Sequence, residues 1–204
     1  MARLIAILIA FLSLSCKQLE SQDNTPPDLP RVEIKDPIIF DVINIRSSPR
    51  LETFWAEEMP SFVFCKSSGI SSHRAFQGIS YWRRLGYPIE NVRYIEDGPE
   101  CHFEPPVGTV VIRMIDNTIA IGDHLAVTKV FYYTETKKIL RANIYLISAY
   151  ANRARLIEHE IGHALGWRHY NRRLHIMNSE YDSTGHDSHG VSYRRYQELF
   201  SNFF

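Results

Sequence analysis

Residues 159–169 read HEIGHALGWRH. His159 and His163 are four residues apart, so on a helix they lie on one face, one turn above the other. That spacing lets both imidazoles bind one tetrahedral metal ion at about 2.0–2.1 Å. Glu160 follows the first histidine, and its carboxylate can reach a water held by the metal without binding the metal itself. The stretch therefore predicts a helix that carries two metal ligands and a general base.

Gly166 and His169 complete the predicted site. A straight helix would carry His169 past the metal, whereas a glycine can adopt a left-handed conformation, end the helix and turn the chain back. His169 then becomes the third ligand, and the fourth position stays open for water, as in catalytic zinc sites. Zinc lowers the pKa of such a water to around 7. The alternative, histidines that are only packed in a core, requires this spacing to arise by chance.

The stretches around the motif predict an α/β domain with a mixed sheet. Runs rich in β-branched and aromatic residues alternate with two amphipathic segments. Phe76, Ile79, Trp82 and Leu85 recur at helical spacing, which predicts that they form the core face of the first helix. In chain order we expect a strand at 61–65, a helix at 71–87, strands at 91–96, 109–116, 125–133 and 139–147, the motif helix from about 151, and a C-terminal helix at 193–204.

The first 16 residues, MARLIAILIAFLSLSC, predict a targeting signal, because a positive charge precedes an apolar run too short to span a bilayer. Their end at Cys16 resembles a bacterial lipoprotein signal, in which the cysteine is lipidated. Lys17 favours the outer membrane, and secretion is the alternative. Residues 17–37 are polar and contain prolines, which predicts a flexible tether. Residues 38–204 then form one catalytic domain.

Two cysteines remain once Cys16 is assigned to the signal. Cys65 and Cys101 are an even pair suited to an oxidising compartment, and a disulfide between them would stabilise the fold by roughly 2–4 kcal/mol. Two buried free thiols are the alternative. Neither cysteine is spaced as a metal ligand.

The overall charge argues against nucleic acid as a partner. Lys plus Arg and Asp plus Glu both number 23, so no net positive field is present. We expect a monomer that contacts the membrane only through its lipid anchor.

HEIGHALGWRH fits the signature HExxHxxGxxH, and the chain resembles the metzincin zinc endopeptidases. HIMNS at 175–179 is similar to their methionine turn, with Met177 beneath the metal. The resemblance implies Zn²⁺, a polypeptide substrate, and a zincin fold with a twisted, mixed five-stranded sheet, two main helices and a C-terminal helix. In this family an antiparallel edge strand binds the substrate, and 125–133 matches that strand by position. An ordinary strand with no substrate role is the alternative.

The function predicted from the sequence is hydrolysis of peptide bonds in proteins of the bacterial cell envelope. Two alternatives stay open: a zinc amidase that acts on cell-wall peptides, and a non-catalytic binding domain on the same scaffold. Of the other histidines, His175 is expected at the surface, and His186 and His189 on a solvated loop.

Overall fold

The computed structural model describes residues 32–34, 48–56, 58–115 and 124–201. Cys16, the predicted signal and most of the predicted tether lie outside these residues. The strands are β1 (Val32–Ile34), β2 (Ser61–Cys65), β3 (Val92–Ile95), β4 (Thr109–Met114), β5 (Ala126–Tyr133) and β6 (Ile139–Leu146). The helices are α1 (Ser72–Arg84), α2 (Pro99–His102), α3 (Leu156–Ala164) and α4 (Tyr193–Phe200).

The sheet is mixed, as predicted, and its strand order is β1-β5-β6-β4-β2-β3. β3, β2, β4 and β6 are parallel neighbours, whereas β5 runs antiparallel to both β6 and β1. β4 lies in the middle and is apolar on both faces, with Val110, Val111 and Ile112 fully buried. A continuous apolar run is what a parallel strand covered on both sides requires.

One part of the predicted tether is a strand. Residues 32–34 form β1, which pairs with Phe131–Tyr133 of β5 and adds a sixth strand to the predicted five. The prediction of 125–133 as an edge strand is therefore wrong for its last three residues. In the part of the chain that the structure describes, no strand pairs with the outer side of Ala126–Val130.

Two details of the helices differ from the prediction. α3 begins at Leu156 rather than near 151, because Arg155 adopts a left-handed conformation with φ of 67° and interrupts the helical path. Phe76, predicted in the core, is 63% exposed. The same prediction is confirmed for Ile79 and Trp82, which are 1% and 0% exposed and lie on the core face of α1.

α1 and α3 pack against each other on one face of the sheet. The indole N–H of Trp82 donates to the carbonyl oxygen of Glu158 at 2.8 Å, and Arg74 binds both carboxylate oxygens of Glu158. Both members of this ion pair are buried, so removal of either side chain would leave the other as an uncompensated buried charge. The pair fixes the first turn of α3 against α1.

The opposite face of the sheet carries a disulfide. Cys65 at the end of β2 and Cys101 in α2 are bonded, with an S–S distance of 2.03 Å. They form a small buried cluster with Val63 and Val111, separate from the main core. The alternative of two free thiols does not hold in the structure.

The C-terminal helix α4 docks on the domain through aromatic side chains, of which Tyr196 is the most buried. The hydroxyl group of Ser192 accepts from the backbone N–H of Arg195 and caps the helix, and Tyr196 is 2% exposed. The Tyr196 hydroxyl accepts the backbone N–H of Trp55 at 2.6 Å, and the Trp55 indole donates to the carbonyl oxygen of Ala164 at 2.9 Å. Trp55 thus links α4 to the last residue of α3.

None of the helices in the described ranges has both the length and the apolar character that a bilayer span requires.

Candidate metal centre

Three histidines converge at the C-terminal half of α3. His159 and His163 lie on one face of the helix, as their spacing predicts. Nε2 of His163 lies 3.0 Å from Nε2 of His159 and 3.1 Å from Nε2 of His169. Ligand nitrogens around a tetrahedral zinc are about 3.3 Å apart. These two distances are thus within a few tenths of an ångström of that geometry.

The outer nitrogens of two of these rings fix the tautomers. Nδ1 of His159 lies 2.7 Å from the carbonyl oxygen of Ile176, and Nδ1 of His163 lies 2.8 Å from that of Trp167. A carbonyl oxygen only accepts, so each Nδ1 carries the proton and donates it. Each of these two Nε2 atoms then directs a lone pair into the cluster. Neither can donate a hydrogen bond to the other, so a cation would be a suitable partner for both lone pairs. The residues present fit a bound metal ion.

The turn at Gly166 brings His169 back to the helix. Gly166 has φ of 101°, in the left-handed region, and a Cβ there would overlap the carbonyl oxygen of Thr53. The segment that contains Thr53 also holds the turn, since the N–H of Glu52 donates to the Gly166 carbonyl at 2.9 Å. Glu52 is ion-paired with Arg168 as well. The predicted turn is therefore present, and residues 51–53 support it.

Met177 lies against the helix at the level of the two histidines. A Cβ at Gly162 would overlap Sδ of Met177, so the glycine allows this close approach. Met177 and its neighbour Ile176 are fully buried, and Ile176 supplies the carbonyl that orients His159. The turn predicted from HIMNS is thus in contact with the cluster.

His175 is buried, and the prediction of a surface histidine is wrong. It is 0% exposed, its Nδ1 accepts the backbone N–H of Met177 at 3.0 Å, and its Nε2–H donates to the carbonyl oxygen of His189 at 3.0 Å. Burial lowers its pKa, which keeps the ring neutral. His175 thereby fixes the turn that carries Met177.

Glu160 follows His159 in α3 and is buried, and its carboxylate is held from β5. The exposed fraction of the residue is 6%, and the hydroxyl of Thr128 donates to Oε2 at 2.6 Å. Burial raises the pKa of Glu160 to about 7, and the hydrogen bond from Thr128 opposes this rise. A carboxyl group with such a pKa can both accept and release a proton near neutral pH.

Burial also controls the charge of the clustered histidines. It lowers the pKa of His159 and of His163 to about 3, and repulsion between neighbouring imidazoles adds to the effect. Both rings are therefore neutral at physiological pH, which is the state that binds a metal.

Thr128 is the residue that the sequence analysis missed. It lies on the face of β5 that Ala126, Val130 and Tyr132 share, and these three pack against the main core. A polar residue at a core-facing position of a strand requires a buried partner. A polar residue at a core-facing position is therefore the feature of the sequence that could have identified Thr128. Its partner, Glu160, is 32 residues away in the chain.

The other histidines named in the sequence analysis fall outside the cluster of His159, His163 and His169. Within the described ranges, His159, His163 and His169 are the one group of three or more such side chains placed to hold a metal ion. His186 lies 3.5 Å from a guanidinium nitrogen of Arg155, which does not suit a cation ligand.

Comparisons with known proteins give no match to a protein family and none to a curated protein. Among solved structures, the chain is similar to the crystal structure of metalloproteinase-II from Bacteroides fragilis, with 14% sequence identity and a TM-score of 0.42. The match covers 76% of this chain and 57% of that chain, so the chain spans little more than half the length of that protein.

Proposed function

We propose that this protein is a zinc endopeptidase of the metzincin type that hydrolyses peptide bonds of proteins outside the cytoplasm. The observation that carries the proposal is the convergence of three imidazole Nε2 atoms, together with the buried carboxyl group of Glu160, which follows His159 in the same helix. Three neutral nitrogen ligands leave room for a fourth, which is typical of catalytic rather than structural zinc sites.

His159, His163 and His169 would hold the zinc, and the chemistry that zinc supplies when bound is Lewis-acid activation of a water and of a substrate carbonyl. Glu160 acts as the general base: its carboxylate takes a proton from the attacking water and then gives it to the nitrogen of the leaving amine. Thr128 holds Oε2 of Glu160, which directs the other carboxylate oxygen to the proton in transit.

The substrate in this proposal is an extended polypeptide that adds to the outer side of β5. Ala126–Val130 precede the part of β5 that β1 covers, and Thr128 within this stretch contacts Glu160. Backbone hydrogen bonds to a strand edge bind polypeptides with little dependence on their side chains. The same edge would favour a polypeptide over the short peptides of a cell wall.

The disulfide supports a location outside the cytoplasm, because such bonds persist in oxidising compartments. We propose that Cys16 is lipidated and holds the protein, as a monomer, at the outer membrane. Replacement Cys16→Ala should move the protein from the membrane fraction to the soluble fraction, and an unchanged distribution would argue against the anchor.

The test of the function compares the wild-type protein with Glu160→Gln. Zinc content is measured by mass spectrometry, and cleavage is measured on casein and on purified peptidoglycan. We expect one zinc per chain in both proteins and casein cleavage by the wild type alone, because Glu160 supplies the base and no ligand.

Three outcomes would contradict the proposal. Release of peptides from peptidoglycan without casein cleavage would indicate the amidase. Zinc binding without cleavage of either substrate would indicate a binding domain. Equal casein cleavage by Glu160→Gln would show that Glu160 is not the base.

A further inference from the structure

A surface cavity lies where the first turn of α3 meets α1. Its volume is about 610 Å³, and none of the three clustered histidines lines it. Three arginines and one carboxylate do: Arg74, Arg84, Arg155 and Glu158. The cavity is therefore separate from the candidate metal centre and rich in positive charge.

Only part of this charge is compensated. Arg74 and Glu158 bind each other through two parallel hydrogen bonds, so their charges cancel. Neither Arg84 nor Arg155 forms an ion pair with a carboxylate of the described residues. Two guanidinium groups consequently face the cavity without a counter-charge from this part of the chain.

Arg155 shows two further signs that it is placed for a ligand. Its Nε–H is buried and has no hydrogen-bond partner among the described residues, which is costly for a charged donor. Its backbone has φ of 67°, a conformation that a residue with a Cβ rarely adopts. Strain of this kind often marks positions that a ligand uses.

The rim of the cavity is aromatic. Phe76, which the helical pattern would place in the core, is 63% exposed and lines the opening. An exposed phenyl ring in the same cavity as two guanidinium groups suits a ligand that has an anionic group and an apolar part.

We propose that this cavity binds an oxyanion, a carboxylate or a phosphate group, through Arg84 and Arg155, with the apolar part of the ligand against Phe76. A guanidinium group presents its N–H donors as a planar fork, which matches either oxyanion with two parallel hydrogen bonds.

Isothermal titration calorimetry at low salt tests the proposal with two probes, inorganic phosphate and a capped Glu-Glu dipeptide. The wild-type protein is compared with Arg84→Gln and Arg155→Asn, since asparagine tolerates a left-handed backbone. We expect saturable binding by the wild type and binding at least about tenfold weaker in each variant, as expected for loss of a charge-assisted hydrogen bond. The probe that binds more tightly identifies the group.

Arg194→Gln is the matched control. Its side chain is 91% exposed on α4 and does not line the cavity, so it removes the same charge from another surface. All proteins are loaded with the same amount of zinc. Phosphate and carboxylates also bind metals, so the heat from that binding must be equal in every titration.

Absence of saturable binding by the wild type would overturn the proposal, as would equal weakening in Arg194→Gln. If Arg155→Asn does not fold, Arg84→Gln decides, because Arg84 is exposed at the end of α1.

Discussion

Thr128 connects the strand proposed to bind the substrate with the proposed base. Its hydroxyl donates to Oε2 of Glu160 at 2.6 Å. A strand that lies beside the substrate and also orients the base keeps the two at a fixed distance. The side chain is short and β-branched, so few rotamers compete with this contact.

Replacement Thr128→Val removes the hydroxyl and preserves the shape. We expect kcat to fall about tenfold or more, because a hydrogen bond to a charged group is lost, while KM and zinc content stay unchanged. Steady-state kinetics on a fluorogenic peptide measure this. Thr128→Ser keeps the donor and should restore most of kcat. A serine variant as slow as the valine variant would show that Thr128 acts only through packing.

At the scale of single residues, the sequence predicts what is local. His159, His163, Gly166 and His169 are read from spacing alone, because one helix and one turn place them. Thr128 and Thr53 are not, because their contacts cross 32 and 113 positions of the chain. Only the fold brings such pairs together.

At the scale of elements, five of the six strands in the described ranges follow from apolar runs bounded by turns. β1 does not, because three residues in a polar, proline-bearing segment carry no periodic signal; their pairing with β5 decides their structure. Phe76 shows the converse error. Its spacing fits the core face of α1, but its position faces the cavity rather than the sheet.

The disulfide is the element-scale feature whose removal is most easily measured. Cys65 and Cys101 are 36 residues apart, and opening a loop of that size in the unfolded chain costs about 4 kcal/mol of stability. We expect the double replacement Cys65→Ala/Cys101→Ala to lower the free energy of unfolding in urea by this amount. The zinc content should not change, because the bond lies on the sheet face away from α3.

The wild-type protein under reducing conditions is the control, since it should lose a similar stability without any change of sequence. A loss of zinc in the double variant would contradict the separation of the two faces.

At the scale of the whole molecule, the metal-free protein should remain folded, because its core of aliphatic and aromatic side chains does not depend on the histidines. Its stability should depend on pH. The pKa of His159 and of His163 is about 3 in the native state and about 6.5 in the unfolded chain, so the unfolded chain binds more protons between these values. Protonation therefore favours unfolding as the pH falls below 6.5.

Glu160 has the opposite effect. Its native pKa is about 7 against an ordinary value of 4.5, so between these values the native state holds the extra proton. The pKa of His169 is lowered to about 3 as well, so three histidines outweigh one carboxyl group. From these four groups we expect the free energy of unfolding to fall by up to about 2.7 kcal/mol per pH unit between pH 6.5 and 4.5. Urea titrations in the presence of a chelator measure this slope. Glu160→Gln removes the opposing effect and should steepen it; a shallower slope would contradict the assignment.

The contact of Trp55 with both Ala164 and Tyr196 has a consequence for the order of events during synthesis and export. Ala164 follows His163, and Tyr196 belongs to the last helix of the described chain. A polypeptide emerges with its N-terminus first. About 140 further residues must therefore emerge after Trp55 before Tyr196 can contact it. The link between α3 and α4 is thus completed late, after all the strands have emerged. A nascent chain would carry the whole histidine motif before Trp55 can contact Tyr196.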